Sequence, residues 1–568
     1  GIDSPFTYCK EHNTKNVFID VECQHSYTFV HYVEEMCGVP YRYLKDFTAG
    51  YIDEEGNEST RTYSMNVRDL NLDVTNRIYP FEDEFIEKGI MRRFYINDIE
   101  YKTIDLKRAY PIITEDARHN RSRRICSYIG QDSTRHLKEG REMFDWCRDI
   151  FPICRSITGE GVRQTLDYLQ KKCKTVIDIE EIPTGTPVFD WTVPREWEIT
   201  EAYLEGPDGD RIVDLKDNNL HLVGYSIPTD TVLPLDQMLE HIYSLEGQPD
   251  VIPYVTSYYK EGWGFCMTDD MKKSLKPGNY HAVIRSRLFG GSLTYGEIYI
   301  PGESEEEIFF SSYICHPSMA NNECSGPVLI VALANYLYSL KKRRYSYRLV
   351  LVPETIGAIS YLSINLDKLK ERVIAGFNIT CVGDDRTYSL VHSKYADTLA
   401  DKVLQNVLKY HYPEYIDYSY LKRGSDERQY QAPGVDLPLV CFCRSKYHVY
   451  PEYHTSADNL DIISPDGLGG SLDVMIKCID ALERNAVYRV TTLCEPQLGK
   501  RGLVPTVSSK ETYLQTLIIK DVLAYADGSN DLFDLSELIE QPVDAIIPVI
   551  DALLDAELLK EVGHELLM

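Results

Sequence analysis

Hydrophobic and polar positions fall along this chain in three textures. From about residue 137, Met143, Phe144, Cys147 and Ile150 recur at helical spacing, and residues 162–169 repeat the pattern; both stretches predict helices. Between about 187 and 284 the alternation shortens and turns such as Gly206-Pro207-Asp208-Gly209 appear, which predicts a β-rich insert. Apolar runs then follow at 308–314, 347–352, 373–382 and 438–442, with a helical stretch at 327–340 between the first two. Strands buried on both faces have this uninterrupted character, and their alternation with helices predicts an α/β sheet. Residues 496–568 carry three further helical patterns, and residues 1–130 read as short strands and loops rich in charge. The expected division is therefore 1–130, 137–495 with an insert at about 187–284, and 496–568.

The 568 residues carry a net charge of −28. That balance disfavours nucleic acid or an anionic membrane as principal partner, because their phosphates would be repelled. No run approaches the roughly 18 apolar residues of a membrane helix. No basic stretch followed by an apolar one opens the sequence, and the 15 Cys form no regular framework; a cytoplasmic, reducing location is expected.

The candidate chemistry lies where polar residues meet strand ends. His316 follows the run 308–314, and Asn321-Asn322-Glu323-Cys324-Ser325-Gly326 forms the turn into the next helix. Glu354 caps 347–352, Asp426 precedes 438–442, and His454 follows it. Open α/β sheets bind ligands outside the carboxyl ends of their strands. Imidazoles and carboxylates converging there are the groups that a hydrolytic zinc needs. Taken singly, each also reads as a hydrogen-bonded loop His, a solvated cap, or, for Asp426 with Arg428, a local ion pair. The aromatic stretch 258–265 in the insert reads either as a wall of the cleft or as packing.

The motifs Cys315-His316-Pro317-Ser318, Asn321 to Gly326, Pro353-Glu354-Thr355-Ile356-Gly357, Ser425-Asp426-Glu427-Arg428 and Tyr453-His454-Thr455-Ser456 together resemble the bacterial aminopeptidase-like family often encoded beside polysaccharide-biosynthesis genes. That family is similar to zinc aminopeptidases and glutaminyl cyclases. The resemblance begins at Phe151-Pro152-Ile153-Cys154-Arg155 and covers about 400 residues. It implies a zinc-aminopeptidase-like mixed sheet flanked by helices, with an inserted β-rich lid and a C-terminal winged-helix-like domain. It also implies His316 and His454 as metal ligands, with an oxygen from Asn322, Glu323 or Asp426, Asp426 being alternatively an orienter. Glu354 would be the general base, and Arg428 and Tyr453 would face substrate. Asn322 stands where the family pattern has Asp, Thr355 where two-metal enzymes have a second Glu, and Thr380 where a further Asp is expected. One zinc rather than two is the expectation. The implied activity is hydrolysis of a small amide, either a peptide N-terminus or an N-acylated amino sugar. One alternative is a non-catalytic carbohydrate- or peptide-binding protein.

In the N-terminal segment, Asp3-Ser4-Pro5-Phe6, Thr28…His31…Glu34 and Gly38-Val39-Pro40-Tyr41-Arg42 resemble the C-terminal half of an aminoglycoside 3-N-acetyltransferase. The resemblance implies an α/β segment with His31 as catalytic residue and acetyl-CoA as donor, given the coenzyme-binding half that the match does not include. The other alternative is thus an acetyl-CoA-dependent N-acetyltransferase fused to a hydrolase-like core. The C-terminal unit resembles a winged helix, yet residues 496–568 hold five Lys and Arg against thirteen Asp and Glu. Docking or self-association is expected of it rather than DNA binding.

Overall fold

The computed structural model describes residues 136–503 and 510–562, together with five short strands nearer the N-terminus. Side chains are described for 136–503 and 516–562. The chain divides into two compact units, 1–132 and 133–568. In the first, Phe47–Ile52 pairs antiparallel with Glu58–Tyr63, and Met91–Ile96 with Ile99–Ile104.

The second unit is built on an eight-stranded mixed sheet. Its strands are β1 (Asp178–Pro183), β2 (Ser292–Ile300), β3 (Glu307–Tyr313), β4 (Ser346–Val352), β5 (Val373–Ile379), β6 (Ser389–Val391), β7 (Ile416–Tyr418) and β8 (Leu439–Cys443). Their order is β7-β6-β8-β5-β3-β4-β2-β1. The central strands β8, β5, β3 and β4 run parallel, and β2 and β1 close one edge antiparallel. Successive side chains of a strand point to opposite faces. Ile308 and Phe310 of β3 accordingly join one hydrophobic core, while Phe309 joins another on the far side.

Helices α1 (Leu137–Ile150), α2 (Glu160–Lys172), α3 (Ser325–Ser339), α5 (Leu399–His411) and α6 (Pro465–Glu483) contribute to the first core. Helix α4 (Ile356–Arg372) and the insert contribute to the second. Gly326 lets α3 approach the sheet: a Cβ there would lie 2.2 Å from Ser312 Oγ and 2.9 Å from the Ile379 carbonyl oxygen. A buried ion-pair cluster crosses the β3–β4–β2 edge. The Arg348 guanidinium holds both oxygens of Glu307, at 2.6 and 2.9 Å, and meets Glu297 at 2.5 Å.

The insert between β1 and β2 carries a four-stranded antiparallel sheet, ordered Arg211–Asp214, Glu196–Glu205, Asn279–Phe289 and Thr229–Pro234. Its loop reaches back to the parent fold, where Tyr254 N donates to the His454 carbonyl at 2.9 Å. At the C-terminus, helices Lys510–Tyr525, Leu532–Leu538 and Val543–Asp555 follow one another. Strand Val487–Val490 pairs antiparallel with Leu559–Val562, so this unit's pairing reaches back before residue 496. The unit docks on α5 through Lys402–Asp534 at 2.8 Å, Lys409–Glu537 at 2.5 Å and Asn406 Nδ2 donating to Ser536 Oγ at 2.7 Å. Cysteines among the described residues are all free, most of them buried. No helix among the described residues is long and apolar enough to cross a membrane.

Candidate active site

Strand β3 delivers Cys315 and His316 just beyond its carboxyl end, and the chain then makes a π-helical turn, Ala320–Cys324, before α3 begins. Such turns cost hydrogen-bond geometry and cluster at functional sites. Here Asp458 supports the turn: its carboxylate accepts from Asn321 N at 2.6 Å, Asn322 N at 3.0 Å and the Tyr450 hydroxyl at 2.8 Å. The turn brings Glu323 back onto His316. Its Oε1 accepts from His316 N at 2.8 Å, and its Oε2 lies 2.6 Å from Nδ1. A carboxylate on Nδ1 fixes the tautomer and leaves Nε2 as the working nitrogen.

His316 Nε2 lies 3.5 Å from Glu354 Oε2. The His454 ring stands 5.3 Å from the His316 ring, centroid to centroid. Tyr254 from the insert faces both, at 4.9 and 5.1 Å, and Tyr453 stacks on His454 at 3.8 Å. Glu354 and Thr355 occupy the bend from β4 into α4. Thr355 has φ +66°, a left-handed conformation that is an outlier for a β-branched residue. This bend points Thr355 N at Asp426 Oδ1, 2.7 Å away, and Thr355 Oγ1 at the Arg428 guanidinium, 2.5 Å away.

Burial dominates the electrostatics. It raises the pKa of the Glu354 carboxyl, with His316 and Arg428 opposing the rise. It raises that of Asp426 well above the usual carboxylate range, and the neighbouring Glu354 adds to it. Burial also pushes His454 down to about 2, so this imidazole is neutral at physiological pH. Around His316 burial opposes a charge, but Cys315 and Glu323 outweigh it and raise the pKa. Burial takes the Cys315 thiol itself up to about 12, so it is uncharged near neutrality and the anionic neighbour that counts is Glu323.

Among the described residues, the buried polar atoms without a hydrogen-bond partner include Asn322 Oδ1, Asp426 Oδ2 and His454 Nε2, all on residues of this end of the sheet. Uncompensated buried polar atoms are costly, and a neutral imidazole nitrogen with amide and carboxylate oxygens at one end of the sheet suits a cation. His316 Nε2 and His454 Nε2 fit as nitrogen ligands, with Asn322 Oδ1 as a neutral oxygen. Among the described residues the one group of three His, Cys, Asp or Glu ligand atoms lying within 4.8 Å of one another is Cys315, His316 and Glu323. Two of those are already engaged: Glu323 clamps His316, and Cys315 Sγ accepts from Glu354 N at 3.2 Å. Asp426 is anchored through Oδ1 on Thr355 N.

The sequence pattern thus brings His316, Asn322, Glu354, Asp426, Arg428, Tyr453 and His454 to one end of the sheet. Thr380 lies there too, its hydroxyl bonded to Tyr313. Asp384 serves the structure, accepting from Asn321 Nδ2 at 2.9 Å and Ser445 N at 2.9 Å. Sequence reasoning gave no role to Tyr254, Asp458 or Arg155. Arg155 is buried and donates from Nε to the His316 carbonyl at 3.0 Å and from a terminal nitrogen to the Ile150 carbonyl at 2.7 Å. An Arg in the motif 151–159 with no acid beside it was the one available signal. His31 lies outside the described residues.

Residues 144–485 match the family model described as domain of unknown function DUF4910. Residues 486–561 match a winged helix-turn-helix model, and residues 1–116 an aminoglycoside 3-N-acetyltransferase model. A Clostridium acetobutylicum protein named for polysaccharide biosynthesis with an aminopeptidase-like domain is 43% identical over 438 residues, 77% of this chain and 99% of its own length. A crystal structure from Clostridium acetobutylicum, provisionally called a peptidase, is 42% identical with a TM-score of 0.71, covering 76% of this chain and 98% of that one. A zinc aminopeptidase from Bacillus subtilis is 13% identical with a TM-score of 0.46 over 61% of this chain and 95% of its own. The match over most of 133–568 and the 43% identity place the chain in the DUF4910 family, whose relative in Clostridium acetobutylicum carries the aminopeptidase-like name.

Proposed function

We propose that the central domain is a zinc-dependent, aminopeptidase-like hydrolase of a small amide, either a peptide N-terminus or an N-acylated amino sugar. The observation that carries this reading is the Glu354 carboxylate 3.5 Å from Nε2 of a clamped His316, with a neutral His454 ring 5.3 Å from the same imidazole. His316 and His454 would hold the ion, with Asn322 supplying a neutral oxygen. Zinc, when bound, supplies Lewis acidity towards a water and the scissile carbonyl.

The chain's own residues do the rest. Glu323 keeps His316 Nε2 presented by occupying Nδ1. Glu354 takes the proton of the attacking water on its carboxylate and passes it to the leaving nitrogen, and its raised pKa brings it nearer the range where both transfers are efficient. Asp426, fixed on Thr355 N, holds the bend that presents Glu354. Tyr254 and Tyr453 cover the imidazoles and limit access of bulk water.

Asn322 and Thr355 occupy positions where a second ion would need carboxylates, which favours one zinc per chain. The same substitutions favour the second reading, a non-catalytic carbohydrate or peptide binder. For the C-terminal unit, docking is the better reading: helix Val543–Asp555 contains no Lys or Arg but does contain Asp544, Asp551 and Asp555. Anomalous scattering at the zinc edge, with hydrolysis assays on small peptides and N-acyl amino sugars, tests the proposal. One zinc at His316 and His454 with amide turnover is expected; a chain with no affinity for zinc would overturn the mechanism.

A further inference from the structure

Beside the site stands a cation whose charge reaches Glu354 and Asp426 but which makes no direct ion pair among the described residues. Arg428 is exposed, at the start of the short helix Glu427–Tyr430. Its side chain is held by one neutral acceptor, the Thr355 hydroxyl, at 2.5 Å. Among the described residues no carboxylate is in ion-pair contact with it. Other described arginines beside carboxylates are ion-paired, as Arg348 is with Glu307 and Arg386 with Glu452. The strained residue Thr355 links Arg428 directly to Glu354, its neighbour in sequence. Lys422 and Arg423, a few residues before Arg428, are exposed as well. Within reach of the Arg428 charge is Tyr259, which forms an exposed aromatic pair with Trp191, ring centroids 5.1 Å apart. Tyr259 is 60% exposed, and its hydroxyl feels the Arg428 charge.

A guanidinium whose fork is fixed at one nitrogen and open at the others is preorganised for a planar or tetrahedral anion. We propose that Arg428 docks an anionic group, carboxylate or phosphate, carried by the amide substrate, so that the site acts on acidic amides. This rests on the hydrolase reading for the position of the scissile bond, and adds the substrate's charge. The anion on Arg428 orients the amide towards Glu354, and the Trp191–Tyr259 pair offers a face for the substrate's ring or side chain.

Two matched pairs of probes test it: Leu-Gly against Leu-glycinamide, and N-acetylglucosamine 1-phosphate against methyl N-acetylglucosaminide. The zinc-loaded full chain, Arg428→Ala and Arg428→Lys are compared on kcat/KM. The parent is expected to prefer the anionic member of one pair by at least about tenfold. Arg428→Ala should lose at least about tenfold more on that member than on its neutral partner, with Arg428→Lys between. The pair showing the effect distinguishes carboxylate from phosphate. Equal losses on both members would mean that Arg428 acts only on the charge state of Glu354, and would overturn the proposal, as would a parent without preference. If no probe is hydrolysed, the hydrolase reading falls, and calorimetric binding of the same four compounds decides the docking claim separately. An anion preference lost in Arg428→Ala upholds it; no preference overturns it. Arg428 is exposed, so the variants should melt with the parent.

Discussion

Glu323 holds His316 at two points, accepting from its backbone nitrogen at 2.8 Å and meeting its Nδ1 at 2.6 Å. The π-helical turn between them makes this possible, because it returns a side chain seven positions later to the same edge of the sheet. One carboxylate thereby sets both the position of the loop and the orientation of the ring.

Glu323→Gln is expected to keep the fold and weaken the site. The amide can still accept from His316 N, but it no longer supplies the negative charge that fixes Nδ1–H. Loss of such a partner lowers metal affinity or activity about 10- to 100-fold. Competition titration with a zinc chelator measures it, and an unchanged affinity would show that the His316 ring needs no carboxylate to be held.

Glu354→Gln separates base from ligand. The variant should lose amide hydrolysis by at least about a thousandfold while retaining zinc, because the proton acceptor goes and the imidazoles remain. Zinc content by elemental analysis alongside activity gives the answer; loss of metal in this variant would make Glu354 a ligand instead.

Asp458 makes stability depend on pH. Burial lifts its pKa from 3.8 to about 6 in the fold, although the amides of Asn321 and Asn322 oppose the rise. A carboxyl with a higher pKa folded than unfolded binds its proton more tightly in the native state. Its contribution to stability is therefore full below about pH 4 and is lost as pH rises to about 6, a change of ~3 kcal/mol for a wholly buried group. Urea unfolding of Asp458→Asn against the parent from pH 4 to 7 should show a shallower fall for the variant over that window; identical slopes would contradict the assignment.

Arg348→Ala tests the buried cluster at the sheet edge. Arg348 is 1% exposed, and its removal leaves Glu307, equally buried, with only the more distant Arg372, at 4.0 Å, as a counter-charge. Breaking one partner of a buried pair costs about 3–5 kcal/mol. Replacing Arg348 by Met together with Glu307 by Gln should cost less than the single change, since the fully buried Glu307 charge is then removed and only the part-exposed Glu297 loses its partner. Chemical denaturation of the three proteins checks the order.

The sequence by itself determined the central strands and helices, because burial on both faces writes an unbroken apolar run. It also nominated His316, Glu354, Asp426 and His454, because each borders such a run and strand ends in an α/β sheet share one rim. It did not announce β1, whose residues are mostly exposed, since an edge strand with little to bury has no hydrophobic signature. Nor did it show the Glu323 clamp, the Asp458 support or the reach of Tyr254 into the site. Only the tertiary structure decided these, because each depends on which groups meet when the chain closes. A turn one residue wider, a loop from an inserted sheet and a carboxylate beyond the last strand leave no periodicity behind. The sign of a pKa shift follows the same rule: it is set by burial and neighbours that exist only once the fold has excluded water.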